Sequence, residues 1–164
     1  AKDSFGYTPL HLAADQNSTE TAQTLIERGA NVNNRSGWGN TPLHAATAQG
    51  NIKLIKLLLK KGAEIGAIDR LGRTALHWVA EKGFLNIAKF LIINGAFVHH
   101  KDNDGHTPLH EAAKWDQKKM IKLFLTHGAN VNSKGSDGRG PLHIAIANGN
   151  MDIANLLKKH GAEL

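Results

Sequence analysis

A segment that returns every 33 residues, in one phase along the whole chain, restricts this sequence to folds built by stacking one unit on the next. The fullest copy reads Gly105-His106-Thr107-Pro108-Leu109-His110-Glu111-Ala112-Ala113, and the others begin at Gly6, Gly39, Gly72 and Gly138. Thr8, Thr41 and Thr107 each open a Thr-Pro-Leu-His core. Thr74 opens it with Ala75 in the proline slot, and Gly140 stands where the last copy has no threonine. A Gly-Ala pair beginning at Gly29, Gly62, Gly95, Gly128 and Gly161 keeps the same step. The chain therefore divides into five copies, approximately 3–35, 36–68, 69–101, 102–134 and 135–164, expected to form a single repeat domain over 1–164.

One copy predicts the local structure of all. Asp69-Arg70-Leu71-Gly72 suits a type I turn at the tip of a hairpin loop. Thr74 then caps a short helix with its hydroxyl, and in four copies proline follows at the first helical position, where its missing N–H costs nothing. Leu10, Ala13 and Ala14 share one face of that helix in copy one, and the small alanines allow close approach of a neighbour. Gly50, Gly83 and Gly149 end it, with Asn17 and Asp116 in the same slot elsewhere, as a left-handed cap requires. A longer second helix follows. In copy two it sets a stripe of Ile52, Ile55, Leu58 and Leu59 against Lys53, Lys56 and Lys60, and Gly62 stops it.

No such unit can bury its apolar faces alone, so stacking must complete the core. Thr21 and Thr24 in copy one, and Lys158 in copy five, put polar groups on the outer flanks, as terminal units need. In period and motif the chain resembles the ankyrin-repeat family from end to end. The resemblance implies an α-solenoid of helix-turn-helix units joined by β-hairpin loops. It also implies that the recurring histidines, His11, His44, His77, His110 and His143, are structural ties to backbone in adjoining loops.

Composition narrows the function by exclusion. There is no cysteine, so disulfides and thiolate metal sites are ruled out. No apolar run approaches a membrane span, and no signal peptide leads the chain, so a cytoplasmic or otherwise intracellular location is expected. The chain starts at Ala1 near a repeat boundary, and it is expected to be a piece of a longer protein. No nucleophile elbow, phosphate-cradling glycine loop or His-Glu-x-x-His pattern is present, and the glycines follow the repeat, so no enzymatic activity and no cofactor are expected. His127 and His160 sit where histidine complements a helix dipole. His99 and His100, adjacent on an extended segment near His106, point to opposite faces, so no metal is expected there.

In ankyrin-like proteins partners bind the concave face, made of hairpin tips and exposed positions of the first helices. Carried over by phase, those positions hold Phe5, Tyr7, Trp38, Asn40, Arg70, Leu71, Arg73, Trp78, Lys82, His106, Glu111, Trp115 and Arg139. All three tryptophans fall in this set, and Trp, Tyr and Arg dominate interface hot spots. The expected function is a monomeric scaffold that binds another protein in this groove. One alternative is a small anionic ligand such as a nucleotide, with a tryptophan stacking and Arg70, Arg73 or Lys82 on phosphate. Another is contact of nucleic acid or anionic membrane with a lysine stripe on the convex back, formed by Lys53, Lys56, Lys60, Lys61, Lys89, Lys118, Lys119 and Lys122. No aromatic is interleaved there for base stacking, so the protein partner is preferred.

Overall fold

The computed structural model describes residues 2–164. Its helices are α1 (Pro9–Asp15), α2 (Thr19–Glu27), α3 (Pro42–Ala48), α4 (Ile52–Lys60), α5 (Ala75–Lys82), α6 (Leu85–Ile93), α7 (Pro108–Lys114), α8 (Lys118–Thr126), α9 (Pro141–Ala147) and α10 (Met151–Lys159). The odd-numbered helices pack on one another in sequence order, and each also packs against the helix that follows it. This gives two helical layers with one continuous core. Small residues permit the close inner row: Ala13, Ala46, Val79, Ala112 and Ala145 occupy equivalent positions and are all buried. No helix among the described residues is long and apolar enough to cross a membrane.

The caps expected from sequence form at the turn between the paired helices. Asn17 (φ 58°) and Asp116 (φ 56°) adopt the left-handed conformation that glycine supplies in the other copies. Two expectations are corrected. The hairpins hold no strand among the described residues. Each is closed by a bond such as Asp69 N–H to the Arg73 carbonyl (3.0 Å) and tied to the next by a single backbone–backbone bond, as from Arg70 N–H to the Trp38 carbonyl (2.9 Å). So few bonds make turns, not a ladder. The stripe of α4 is also shifted: Leu54, Ile55 and Leu58 are fully buried while Ile52 and Leu59 are only half-buried. A middle helix is covered on its flanks by both neighbours, so the buried arc turns toward the stack.

The ends of the stack are unequal. α2 buries only Ala22, with Thr21 and Thr24 exposed, whereas α10 buries Ile153, Ala154 and Leu157 despite the exposed Lys158. Each buried leucine or isoleucine contributes roughly 1.5–3 kcal/mol that α2 forgoes. Hydrogen exchange should therefore be fastest in α2 and slowest in α4, α6 and α8, because end units of a stack have one interface instead of two. Slower exchange in α2 than in α6 would contradict this order.

Candidate functional site

The hairpins and first helices are held in register by the recurring histidines. In every copy the N–H of the cap residue donates to Nδ1 of the histidine three residues on, from Thr8 to His11 (3.2 Å) through Gly140 to His143 (3.3 Å). A backbone N–H can only donate, so Nδ1 is the acceptor and Nε2 carries the proton. That proton reaches into the next copy: His11 Nε2 donates to the Asn40 carbonyl (2.8 Å), His44 to Arg73 (3.1 Å) and His77 to His106 (3.1 Å). The histidine thus supplies the returning half of a capping box, while the threonine hydroxyl accepts from the helix N–H, at 3.4 Å in copy one. His110 departs from the series, since its buried Nε2 has no hydrogen-bond partner among the described residues. Burial lowers the pKa of all four, and takes His77 and His110 down to about 4.

This register brings five of the sequence-selected residues together. Trp38, Asn40, Arg70, Leu71 and Arg73 line one mostly apolar cleft of about 420 Å³, with Asp69 at its base. Trp38 is 61% exposed and Leu71 58%, while the Arg70 guanidinium lies 5.9 Å from the Trp38 ring centroid. Beneath them sits a buried polar knot. Asp69 Oδ1 accepts from the N–H groups of Leu71 (2.8 Å) and Arg73 (2.9 Å), and Oδ2 accepts from Arg73 Nε (3.0 Å) and Trp78 Nε1 (3.2 Å). Arg73 also lies over the Trp78 ring at 4.8 Å and reaches Glu81 at 3.5 Å. Trp78 is consequently half-buried beneath Arg73, outside the lining of the cleft, and is not an open contact.

The remaining selected residues lie elsewhere along the same face. Phe5 is exposed, and Tyr7 packs edge-on against His11. Lys82 pairs with Glu81 (3.2 Å), and Arg139 lies near Asp137 (3.8 Å). Trp115 is half exposed, with Lys114 over its ring (5.6 Å) and its Nε1 donating to Glu111 (3.2 Å). Glu111 is buried, and the His106 ring stacks on His110 with centroids 5.0 Å apart. Selection by phase overlooked Asp69 and Asp102, which anchor the hairpins of copies three and four. The spacings Asp69-x-x-x-Arg73 and Asp102-x-x-x-His106 were the available signals, since across a tight turn they bring both side chains to one side.

A family model described as ankyrin repeats (three copies) matches residues 1–69, 33–102 and 76–164. No curated protein matches the chain. Ankyrin repeats are in general protein–protein interaction modules, and the family is typically non-enzymatic. With the repeat matched across its whole length, this chain belongs to the ankyrin-repeat family.

Proposed function

We propose that this chain is a recognition scaffold that binds another protein through the face formed by its hairpins and first helices, centred on the cleft between Trp38 and Leu71. The observation that carries this reading is the exposure of Trp38 beside Arg70 and Leu71 in a mostly apolar cleft. An exposed tryptophan adds nothing to the core, whereas a rigid aromatic ring beside a guanidinium is what a partner's apolar side chain packs against. A nucleotide fits less well. Arg73 is held by Asp69 and Glu81, and Lys82 by Glu81, which leaves Arg70 as the cleft's one unpaired cation among the described residues. On the convex back, Lys118 pairs with Asp152 and Lys56 lies over the Phe90 ring, so that stripe is partly engaged within the chain.

The test is to capture a partner with the whole chain, identify it, and measure its affinity for the chain and for Trp38→Ala. Truncating a central anchor costs about 2 kcal/mol, or roughly 30-fold in Kd. The melting temperature should stay almost unchanged, because the ring is exposed. Lost stability with intact binding would place Trp38 in the fold and remove the cleft from the interface.

A further inference from the structure

Copies three and four use the same positions of the repeat for opposite electrostatics. In copy three both oxygens of the buried Asp69 are occupied, with the Arg73 guanidinium neutralising its charge. One period on, Asp102 Oδ1 keeps the two turn bonds, from the N–H groups of Asp104 (3.0 Å) and His106 (2.8 Å). The counterpart of Arg73 is now His106, and that of Trp78 is Glu111. The guanidinium and the indole N–H are both gone, and a second carboxylate has come in.

Glu111 is only 8% exposed, and its one hydrogen bond comes from Trp115 Nε1 (3.2 Å). Among the described residues neither Asp102 nor Glu111 forms an ion pair. Lys114, which stands where copy three has Glu81, is exposed and lies over the Trp115 ring. A buried carboxylate with no cation beside it is costly, and a second carboxylate nearby increases the cost. Asp102, His106 and Glu111 each offer one donor atom, and these atoms lie within 4.8 Å of one another.

We propose that Asp102, His106 and Glu111 bind a divalent first-row transition-metal ion such as Zn²⁺. An imidazole nitrogen with two carboxylate oxygens is a donor set such ions accept, at about 2.0–2.2 Å from zinc, and three protein ligands leave a further position open. The donors would close to that radius chiefly by rotation of the Glu111 side chain, because Asp102 is held by its two turn bonds, and His106 supplies the fixed point. Its N–H is bound to Asp102, its carbonyl accepts from His77 Nε2 (3.1 Å), and its ring is stacked on His110 at an interplanar angle of 22°. Gly135 leaves room for that ring, since a Cβ there would lie 2.7 Å from His106 Cδ2. The sequence alone groups His106 with His99 and His100 and leads to no metal. The fold instead sets it between a hairpin carboxylate and a helix carboxylate.

Calorimetric titration of the whole chain with zinc chloride at neutral pH, with magnesium chloride as the comparison, tests this. One zinc ion per chain is expected, with no comparable uptake of magnesium. Glu111→Gln and His106→Asn should each weaken binding roughly tenfold or more. Both are expected to fold, because Gln still accepts from Trp115 and the structural bonds of His106 run through its backbone. Imidazole resonances of the unsubstituted chain provide a second measurement, with that of His106 expected to move during the first equivalent of zinc. Absence of saturable binding would overturn the proposal. So would binding that survives both substitutions, which would place the ion on exposed histidines such as His99 or His127.

Discussion

Acidification from neutral pH to pH 4 is expected to remove a large part of the stability of this protein. Folding holds His77 and His110 near pKa 4, against an ordinary value of 6.5, chiefly because burial penalises the charged ring. The hydrogen bonds require the neutral form as well: Nδ1 accepts from a backbone N–H, and a second ring proton would face that donor. The unfolded chain takes up protons on these rings below about 6.5, while the folded chain does not until about 4. Stability is therefore fully present above 6.5 and falls as the pH drops through this window. For each histidine the full difference is about 3 kcal/mol, so the pair represents on the order of 6 kcal/mol. Domain stabilities are typically about 5–15 kcal/mol, so this loss is a large fraction of the whole. His11 and His44, also lowered by burial, act in the same direction. Urea midpoints followed by far-ultraviolet circular dichroism should fall steadily from neutral pH to pH 4. A midpoint that stays constant over that range would show that the rings are protonated without opening the stack.

These histidines show what was legible in the sequence and what was not. Their spacing located them, and the left-handed Asn17 and Asp116 were legible for the same reason, because a backbone requirement repeats with the backbone. Side-chain cover does not repeat in that way. Trp78 and Glu111 occupy one position of the repeat, chosen by phase as exposed, yet Trp78 is half-buried under Arg73 and Glu111 is buried. What covers them is other side chains, Arg73 over Trp78 and Trp115 beside Glu111, which vary from copy to copy. The shifted stripe of α4 has the same origin: periodicity defines the arc of one helix, and the flanking helices decide how far round it is buried. Trp38, Arg70, Leu71 and Arg73 share a cleft because hairpins one period apart lie side by side, which follows directly from the 33-residue step.

Asp69→Ala should destabilise the chain by about 3–4 kcal/mol, although the substitution lies in a surface hairpin of a fold held mainly by its helices. The carboxylate accepts from two backbone N–H groups, the Arg73 guanidinium and the Trp78 indole, and the residue is 6% exposed. Removing it leaves turn N–H groups short of an acceptor, at about 1–3 kcal/mol, and takes from Arg73 its closer partner. Glu81 remains within 3.5 Å of Arg73, whose side chain is partly solvated, so the loss falls short of that for a fully buried pair. Copy one supplies the comparison. Asp3 accepts from Phe5 N–H (2.9 Å) and Tyr7 N–H (2.8 Å) in the same turn, but it is exposed and has no ion pair among the described residues. Water replaces it there, and Asp3→Ala should cost only about 1 kcal/mol. Asp69→Asn, which keeps an acceptor for the turn and loses the charge, should fall between the two. Denaturant midpoints of the three variants, with unchanged slopes, measure these differences. Equal losses for Asp3→Ala and Asp69→Ala would show that the turn bonds alone matter. The stack of Arg73 on Trp78 would then stand without its buried carboxylate.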